Sequence, residues 1–529
     1  MARFIIQNAA VVDGTGAPAR VGNVAVADGF IVEEASLPPQ SCDFLVDAAG
    51  LACTPGFIDT HSHSDIQVLL DPNVYPKIRQ GITTEILGQD GVSAAPLPME
   101  YLNAWRKNQS GLNGDSSALA WDWKDTKGYL ERIEKGKGSA TNIAYLVPHG
   151  NVRMSVMGLE NRLATKDEID QMCRLLDKEL QDGGIGLSSG LIYVPCAYSN
   201  LEELTALCRV AAAHNKPFVV HQRSEADDVM ESMDEILSAA KASGVHAHFS
   251  HFKICGMRNL HYRRQMADLL DQAAAEGLSV SFDQYPYTAG STTMTALLPP
   301  WAQSGGAEEL LGRLADPSIR EKITRDIQNG IHGWDDFMSF SGPSRIRITS
   351  VQTDRNQHLL GHTVEEIAAE RGVTPFDAIY DLLIEESLSV SISTEFGTDE
   401  DIAFFMRRPE QNVCTDGLFG AKPHPRVYGT FARILEKYVR QDKVLTLEEA
   451  VYKMTGKPAG VFAMHDRGVI APGRRADLLV FDADRVQDHA TYVDPQRYPT
   501  GFHVIFVNGV PVFEQGKSLN NHPGMVIRQ

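Results

Sequence analysis

The sequence predicts an α/β fold: a (β/α)8 TIM-like barrel, a small β domain built from both chain ends, and an inserted subdomain before the last barrel strand. Three observations predict it. The chain has 529 residues, room for a barrel of about 250 residues and a companion domain. Its middle alternates short apolar runs that end in polar residues with helix-like stretches. Its two ends read alike, as short β-prone runs cut by glycine and proline.

In chain order, Phe4 to Ile6, Val11-Val12, Val24 to Val26 and Ile31-Val32 are strand-like, with Gly14, Gly16, Pro18, Gly22 and Gly29 between them. Residues 476–481, 504–507 and 510–513 repeat that texture, and Asn508-Gly509 between two apolar runs signals a hairpin. Residues 1–55 and 465–529 are therefore expected to share one β domain. Within 56–464, eight strands are predicted: 56–63, 83–90, 142–149, 184–191, 217–223, 247–253, 279–285 and 411–416. Helix-like segments such as 200–215 and 227–243 carry apolar residues at spacings of three and four. The interval before the last strand is too long for one helix. Residues from about 290 to 350, with Trp301, Trp334 and several Gly and Pro, are expected to form the insertion.

Composition narrows the function. Hydrophobic residues are 43% and charged residues 22%, the balance of a globular chain. A net charge of −19 argues against non-specific nucleic-acid or anionic-membrane binding, and leaves a local cation free to hold an anionic small molecule. The seven cysteines are scattered without a C-x-x-C pair, which points to a reducing, cytoplasmic setting. The start, with its short apolar run, does not read as a signal peptide, and no run of about 18 apolar residues predicts a spanning helix.

The polar residues at the strand ends form a pattern. The first strand ends in Asp59-Thr60-His61-Ser62-His63, whose two imidazoles share a face. His221 ends the fifth strand, His251 lies in the sixth and Asp416 ends the eighth. Such residues converge at the C-terminal mouth of a barrel. Four histidines and a carboxylate are costly to desolvate there without a metal or mutual pairing, and imidazoles suit zinc. His149, at the end of the third strand, is placed either to face the site or to tie down a loop. His214, His332, His358, His465, His489 and His522 read as surface or satisfied residues, and Cys196, Cys255 and Cys414 as small packing residues.

The run Thr54-Pro55-Gly56-Phe57-Ile58-Asp59-Thr60-His61-Ser62-His63 resembles the first-strand signature of the amidohydrolase superfamily. Gly468 to Gly473 followed by Ala476 to Asp482 resembles that superfamily's return into its small β domain. More narrowly, the chain is similar to the N-acyl-D-amino-acid deacylases (D-aminoacylases). The similarity rests on Gly186 to Tyr193, Ser250-His251-Phe252-Lys253, Asp283-Gln284-Tyr285-Pro286-Tyr287 through Thr292, and Thr415-Asp416-Gly417 followed by His424-Pro425-Arg426. The resemblance implies hydrolysis of N-acyl-D-amino acids with one or two zinc ions. It implies that His221 and His251 hold the tight zinc, that His61 and His63 border a weaker position, and that Asp416 is the catalytic acid and base. Arg426, Tyr285 and Ser291 match a clamp for the substrate α-carboxylate, and Tyr193 and Lys253 match positions near the scissile amide. A planar guanidinium suits a carboxylate, and a carboxylate suits proton transfer to the leaving amine.

One departure stands out. Where that family usually carries a zinc-binding cysteine after the second strand, this chain has Gly88-Gln89-Asp90-Gly91. Asp90 is a harder ligand than a thiolate, and is placed to bind one metal, to bridge two, or to orient a histidine. The bridging lysine that some superfamily members carry on the fourth strand is absent, with Ser188 and Ser189 in its neighbourhood. That absence disfavours the main rival, a cyclic-amide hydrolase of the hydantoinase or dihydroorotase kind. A deaminase is disfavoured because Ser224 stands where His-x-x-Glu after His221 would need a glutamate. A catalytically dead scaffold is the remaining alternative, and it would lack Asp416 or the histidines.

Overall fold

The structure is a computed structural model that describes residues 2–528 apart from 104, 107–115 and 117. The strands of its centre pair in parallel and in chain order. Phe57–Asp59 pairs with Ile82–Leu87, and that strand with Asn142–Tyr145. Val147–Pro148 continues the third strand and pairs with Leu187–Gly190. Phe218–His221, Ala247–Phe249, Val280–Gln284 and Gln411–Val413 follow in turn. The ring closes where Ser62 bridges Gly417 in parallel and the Asp416 N–H donates to the His61 carbonyl at 2.8 Å. Eight parallel strands closed in sequence order make a (β/α)8 barrel.

Alternation along the strands sorts the side chains. Phe218 and Val220 point outward into a core shared with Leu204, Leu207, Ile236 and Leu270 of the surrounding helices. Val219 points inward with Ile58, Ile86 and Ala144, and this apolar plug fills the barrel below the mouth. His221, two residues beyond Val219, therefore faces the axis. Helix starts are specified locally: Lys166–Gln181 begins with a capping box between Thr165 and Glu168.

The strands are shorter than the sequence pattern predicts. Their polar tails leave the ladder at the mouth, where Asp90, His251 and Asp416 take positive φ of 56°, 35° and 47°. Such conformations are uncommon for side-chain-bearing residues and cluster at functional sites.

Both chain ends enter one nine-stranded sheet. Leu478–Phe481 lies antiparallel to Ala52–Pro55 and so joins the C-terminal strands to the N-terminal ones. Asn508 and Gly509 form the turn between Phe502–Val507 and Val510–Glu514, both at positive φ, as a tight hairpin requires. The insertion is longer than the expected stretch of about 290 to 350. Ser391–Glu395 pairs antiparallel with Ala289–Thr293 and with Ile346–Ser350, so the three-stranded sheet needs residues up to 395. Leu297, Leu310, Ile348, Ile379 and Ile392 form its separate core. Among the described residues, no helix is long and apolar enough to cross a membrane.

Candidate metal centre

The mouth of the barrel collects the predicted histidines and carboxylates, all buried. They form two groups, His61, His63, Asp90 and Asp416, and Asp90, His221 and His251, each with its ligand atoms within 4.8 Å of one another. Asp90 belongs to both. Its Oδ2 lies 3.4 Å from His61 Nε2 and 3.5 Å from His63 Nε2, while its Oδ1 lies 3.6 Å from His251 Nε2. Asp416 Oδ1 stands 3.2 Å from His63 Nε2 and 3.8 Å from His61 Nε2. His221 Nδ1 is 2.9 Å from His251 Nε2.

Neighbouring strands hold these groups in place. The fourth strand passes close behind Asp90 because Gly190 has no side chain; a Cβ there would lie 2.3 Å from the Asp90 carbonyl oxygen. Asp283, on the seventh strand, accepts the His251 N–H at 2.5 Å and lies 3.0 Å from His248 Nε2. Across the closing seam, Asp59 accepts Lys77 Nζ at 2.8 Å and Thr415 Oγ1 at 2.6 Å.

A metal fits this arrangement on its own chemistry. His61 Nδ1 and Nε2, His221 Nε2 and Asp90 Oδ1 are buried without a hydrogen-bond partner among the described residues. Native interiors rarely leave so many polar atoms unsatisfied in one place, and a borderline cation takes mixed imidazole and carboxylate donors. The charge balance agrees. Burial works against the Asp90 anion, yet His61 and its neighbours hold the carboxyl well below its usual range. Burial likewise opposes ionisation of Asp416, but Arg426 and His251 keep it an anion. Burial lowers His63, and bonds to Asp416 and Asp90 outweigh it, lifting the imidazole to about 9. Burial brings His221 down to about 4, so it is neutral near pH 7 and able to ligate.

The predicted substrate residues separate. Arg426 opens the helix Arg426–Arg433, fully buried, with NH1 2.7 Å from Asp416 Oδ2 and NH2 donating to the Ser291 carbonyl at 2.9 Å. Its guanidinium lies 4.6 Å from the Tyr285 ring centre. Arg426 Nε and Tyr285 Oη are buried and have no hydrogen-bond partner among the described residues. Ser291 lines the same cavity, but its hydroxyl proton goes to the Ile392 carbonyl at 2.8 Å, so it has none for a substrate carboxylate. Tyr193 packs T-shaped with His221, ring centres 5.4 Å apart, and shares a hydrogen bond with Thr292 at 2.8 Å. Lys253 Nζ lies 2.7 Å from Glu225 and 2.9 Å from His251 Nδ1.

His149 does not line the cavity. It opens the helix His149–Met157, fully buried, with Nδ1 2.9 Å from Ser189 Oγ and Nε2 2.8 Å from Glu203 Oε1, which also takes Arg153 Nε at 3.0 Å. It ties the third and fourth barrel units together through Ser189 and Glu203. His149→Leu is expected to destabilise the fold by about 1–3 kcal/mol, with kcat/KM of the folded enzyme kept. A melting curve and kinetics on the same preparation check this; a normal melt with lost activity would return His149 to the site.

Two acids were not anticipated. Glu225 lies 3.2 Å from His251 Nδ1 and 3.8 Å from His221 Nε2. Burial opposes its ionisation, but the Lys253 charge and the imidazoles hold it at about 2. Asp335 reaches in from the insertion and accepts Ser224 Oγ at 2.6 Å, Glu225 N at 2.9 Å and Ala226 N at 3.3 Å. These groups surround a cavity of about 40 Å³. A wider one, about 840 Å³, opens at the other end of the barrel beside His214, Lys216 and Arg467. Lys216 Nζ is spent there on the Leu180 and Gly184 carbonyls, and none of the described lining atoms is a buried, unpartnered polar atom. The chemistry therefore belongs to the smaller cavity.

Known proteins with this architecture carry related names. The chain is 33% identical over 533 residues to the N-acyl-D-glutamate deacylase of Alcaligenes xylosoxydans xylosoxydans, covering 99% of this chain and 96% of that protein. The crystal structure of the N-acyl-D-glutamate deacylase from Bordetella bronchiseptica, complexed with zinc and a phosphonate mimic of the tetrahedral intermediate, superposes with a TM-score of 0.84. It is 31% identical, and all of both chains is covered. A D-aminoacylase structure described by the functional role of its binuclear metal centre gives a TM-score of 0.82 at 31% identity, again over all of both chains. The amidohydrolase family itself matches residues 45–305 and 406–513. The interval it skips lies within the stretch between the seventh and eighth barrel strands, so the match falls on the barrel and small sheet that carry the centre, and the chain belongs to the amidohydrolase family.

Proposed function

We propose that this protein hydrolyses the amide bond of N-acyl-D-amino acids with a zinc centre, releasing a carboxylic acid and a D-amino acid. The observation that carries the reading is the pair of buried, unpartnered donors, Arg426 Nε and Tyr285 Oη, beside Asp416 and both metal groups. Donors so placed await an anion, and the α-carboxylate of an acyl-amino acid is an anion one carbon from the scissile amide. Asp90, His221 and His251 would hold one zinc ion, and His61 and His63 with Asp90 a second. Zinc, when bound, supplies a Lewis acid that polarises the acyl carbonyl and acidifies water.

The chain's own residues do the rest. Asp416 enters as an anion, takes the proton of the attacking water and returns it to the leaving amine nitrogen. Arg426 holds Asp416 on one side and the α-carboxylate on the other, which fixes the distance between base and amide. Tyr193 and Lys253 border the acyl side of the cavity. Anchoring carboxylate, amide and side chain at three points gives the site a handedness, and the names of its deacylase relatives supply the hand, D. Ser188 and Ser189 on the fourth strand leave no lysine for the cyclic-amide alternative, and a non-catalytic scaffold would have no need of unpartnered donors.

The same reading takes residues 1–55 and 465–529 as the small β domain and 56–464 as the barrel, with the insertion extended to 395. Seven free cysteines, five of them buried, suit a reducing compartment, and we place the protein in the cytoplasm.

Arg426→Lys keeps the charge and loses the fork, so kcat/KM for N-acyl-D-amino acids is expected to fall roughly 100-fold. A neutral analogue, with an amide in place of the α-carboxylate, is expected to be poor with wild type and little changed by the substitution. Equal losses on both substrates would show Arg426 supporting the helix and not the substrate.

A further inference from the structure

We infer that the cavity selects N-acyl-D-amino acids with a neutral, largely apolar side chain and rejects those with a second carboxylate. The inference rests on the function proposed above and turns on the charges left over once that function is served. Among the described residues lining the cavity, the cations other than imidazoles are Lys253 and Arg426. Arg426 already faces Asp416 at 2.7 Å and, in the proposed reaction, the α-carboxylate. Lys253 is closed off by Glu225 at 2.7 Å. Glu225 is buried and Lys253 half-buried, so the contact is largely shut away from water. Imidazoles aside, no third cation faces the cavity from the described lining residues.

What remains of the wall is Cys255, Phe337, Leu418, Thr292 and Thr394, together with the Asp335 carboxyl. Phe337 and Leu418 offer apolar surface, and both are buried. Thr292 is engaged with Tyr193. Asp335 is tied to three donors on the loop after the fifth strand and brings a carboxyl, not a cation. A side-chain carboxylate entering this space loses its water against Phe337 and Leu418, and it meets the Glu225 carboxylate, already closed by Lys253, and the Asp335 carboxyl. Burying a carboxylate without a partner is expensive, and like charges face to face add to the expense. A neutral side chain of the same shape meets neither penalty. This places the chain's preference away from that named for its 33%-identical relative, the N-acyl-D-glutamate deacylase.

N-Acetyl-D-glutamine and N-acetyl-D-glutamate test the point, since they share a shape and differ in charge. The two are assayed with the zinc-loaded enzyme for released amino acid, beside N-acetyl-D-leucine and N-acetyl-D-methionine. The expected result is a kcat/KM for the glutamine compound roughly 100-fold above that for the glutamate compound, with the leucine and methionine compounds higher still. Equal or better turnover of N-acetyl-D-glutamate would overturn this inference and leave the proposed function standing. No release from any of the four would overturn both. Glu225→Gln frees Lys253 and is expected to raise the glutamate-to-glutamine ratio at least about tenfold, a ratio insensitive to any general loss of activity. A ratio unmoved by that substitution would overturn the Glu225–Lys253 pair as the cause of the selection.

Discussion

Asp416→Asn is expected to lower kcat by about 10²–10⁴-fold while the metal held by Asp90, His221 and His251 remains. Asparagine keeps the shape of the side chain and tolerates the positive φ of 47° at this position, so the seam with the first strand survives. It removes the one carboxylate that faces His63 on one side and Arg426 on the other. The group of Asp90, His221 and His251 does not include Asp416, which is why the metal there is expected to stay. Single-turnover kinetics with elemental analysis of the same sample check both halves. A variant with near wild-type kcat would remove Asp416 from the mechanism.

Asp90→Ala is expected to strip metal from both positions and to cost more than the 10–100-fold typical of residues that merely orient a ligand. Its two oxygens face different histidines, so both groups lose their shared anion at once. Four buried imidazoles would then stand together without it. Alanine is also poorly suited to the φ of 56° at this position, so Asp90→Asn serves as the partner variant, keeping the backbone and losing the charge. Metal content of both variants, measured beside His61→Ala, separates a bridge from a bystander. Full metal occupancy in both would end the bridging assignment.

Much of the site was legible because its chemistry sits in short motifs at strand ends. Alternation alone put His61 and His63 on one face, and the strand–helix rhythm put His221, His251 and Asp416 at one mouth. The substitution at Asp90 marked the residue that the structure places between the two groups. Less was legible where partners are far apart in the chain. The ten-residue spacing brought Arg426 near Asp416, but could not say that the two would face each other at 2.7 Å. Glu225 sits four residues after His221, outside the motifs at the strand ends. Its burial depends on the insertion, whose Asp335 pins that loop. The end of the insertion is not legible in sequence, because only the pairing of Ser391–Glu395 with Ala289–Thr293 shows that Val364–Arg371 and Pro375–Glu385 belong to it. His149 stays open in sequence between facing the site and tying down a loop, because a strand end is also where a helix begins.

The seam between the first and last barrel strands gives synthesis an order. The residues facing the metals, from His61 to His251, all leave the ribosome well before Asp416 and Arg426. The Asp416 N–H bond to the His61 carbonyl spans more than 350 residues of chain, so it forms only when the eighth strand arrives. A nascent chain can therefore gather its histidines and Asp90 while it still lacks both the proton acceptor and the substrate anchor. Until the eighth strand is in place, the mouth lacks both the carboxylate that faces His63 and the guanidinium that faces that carboxylate.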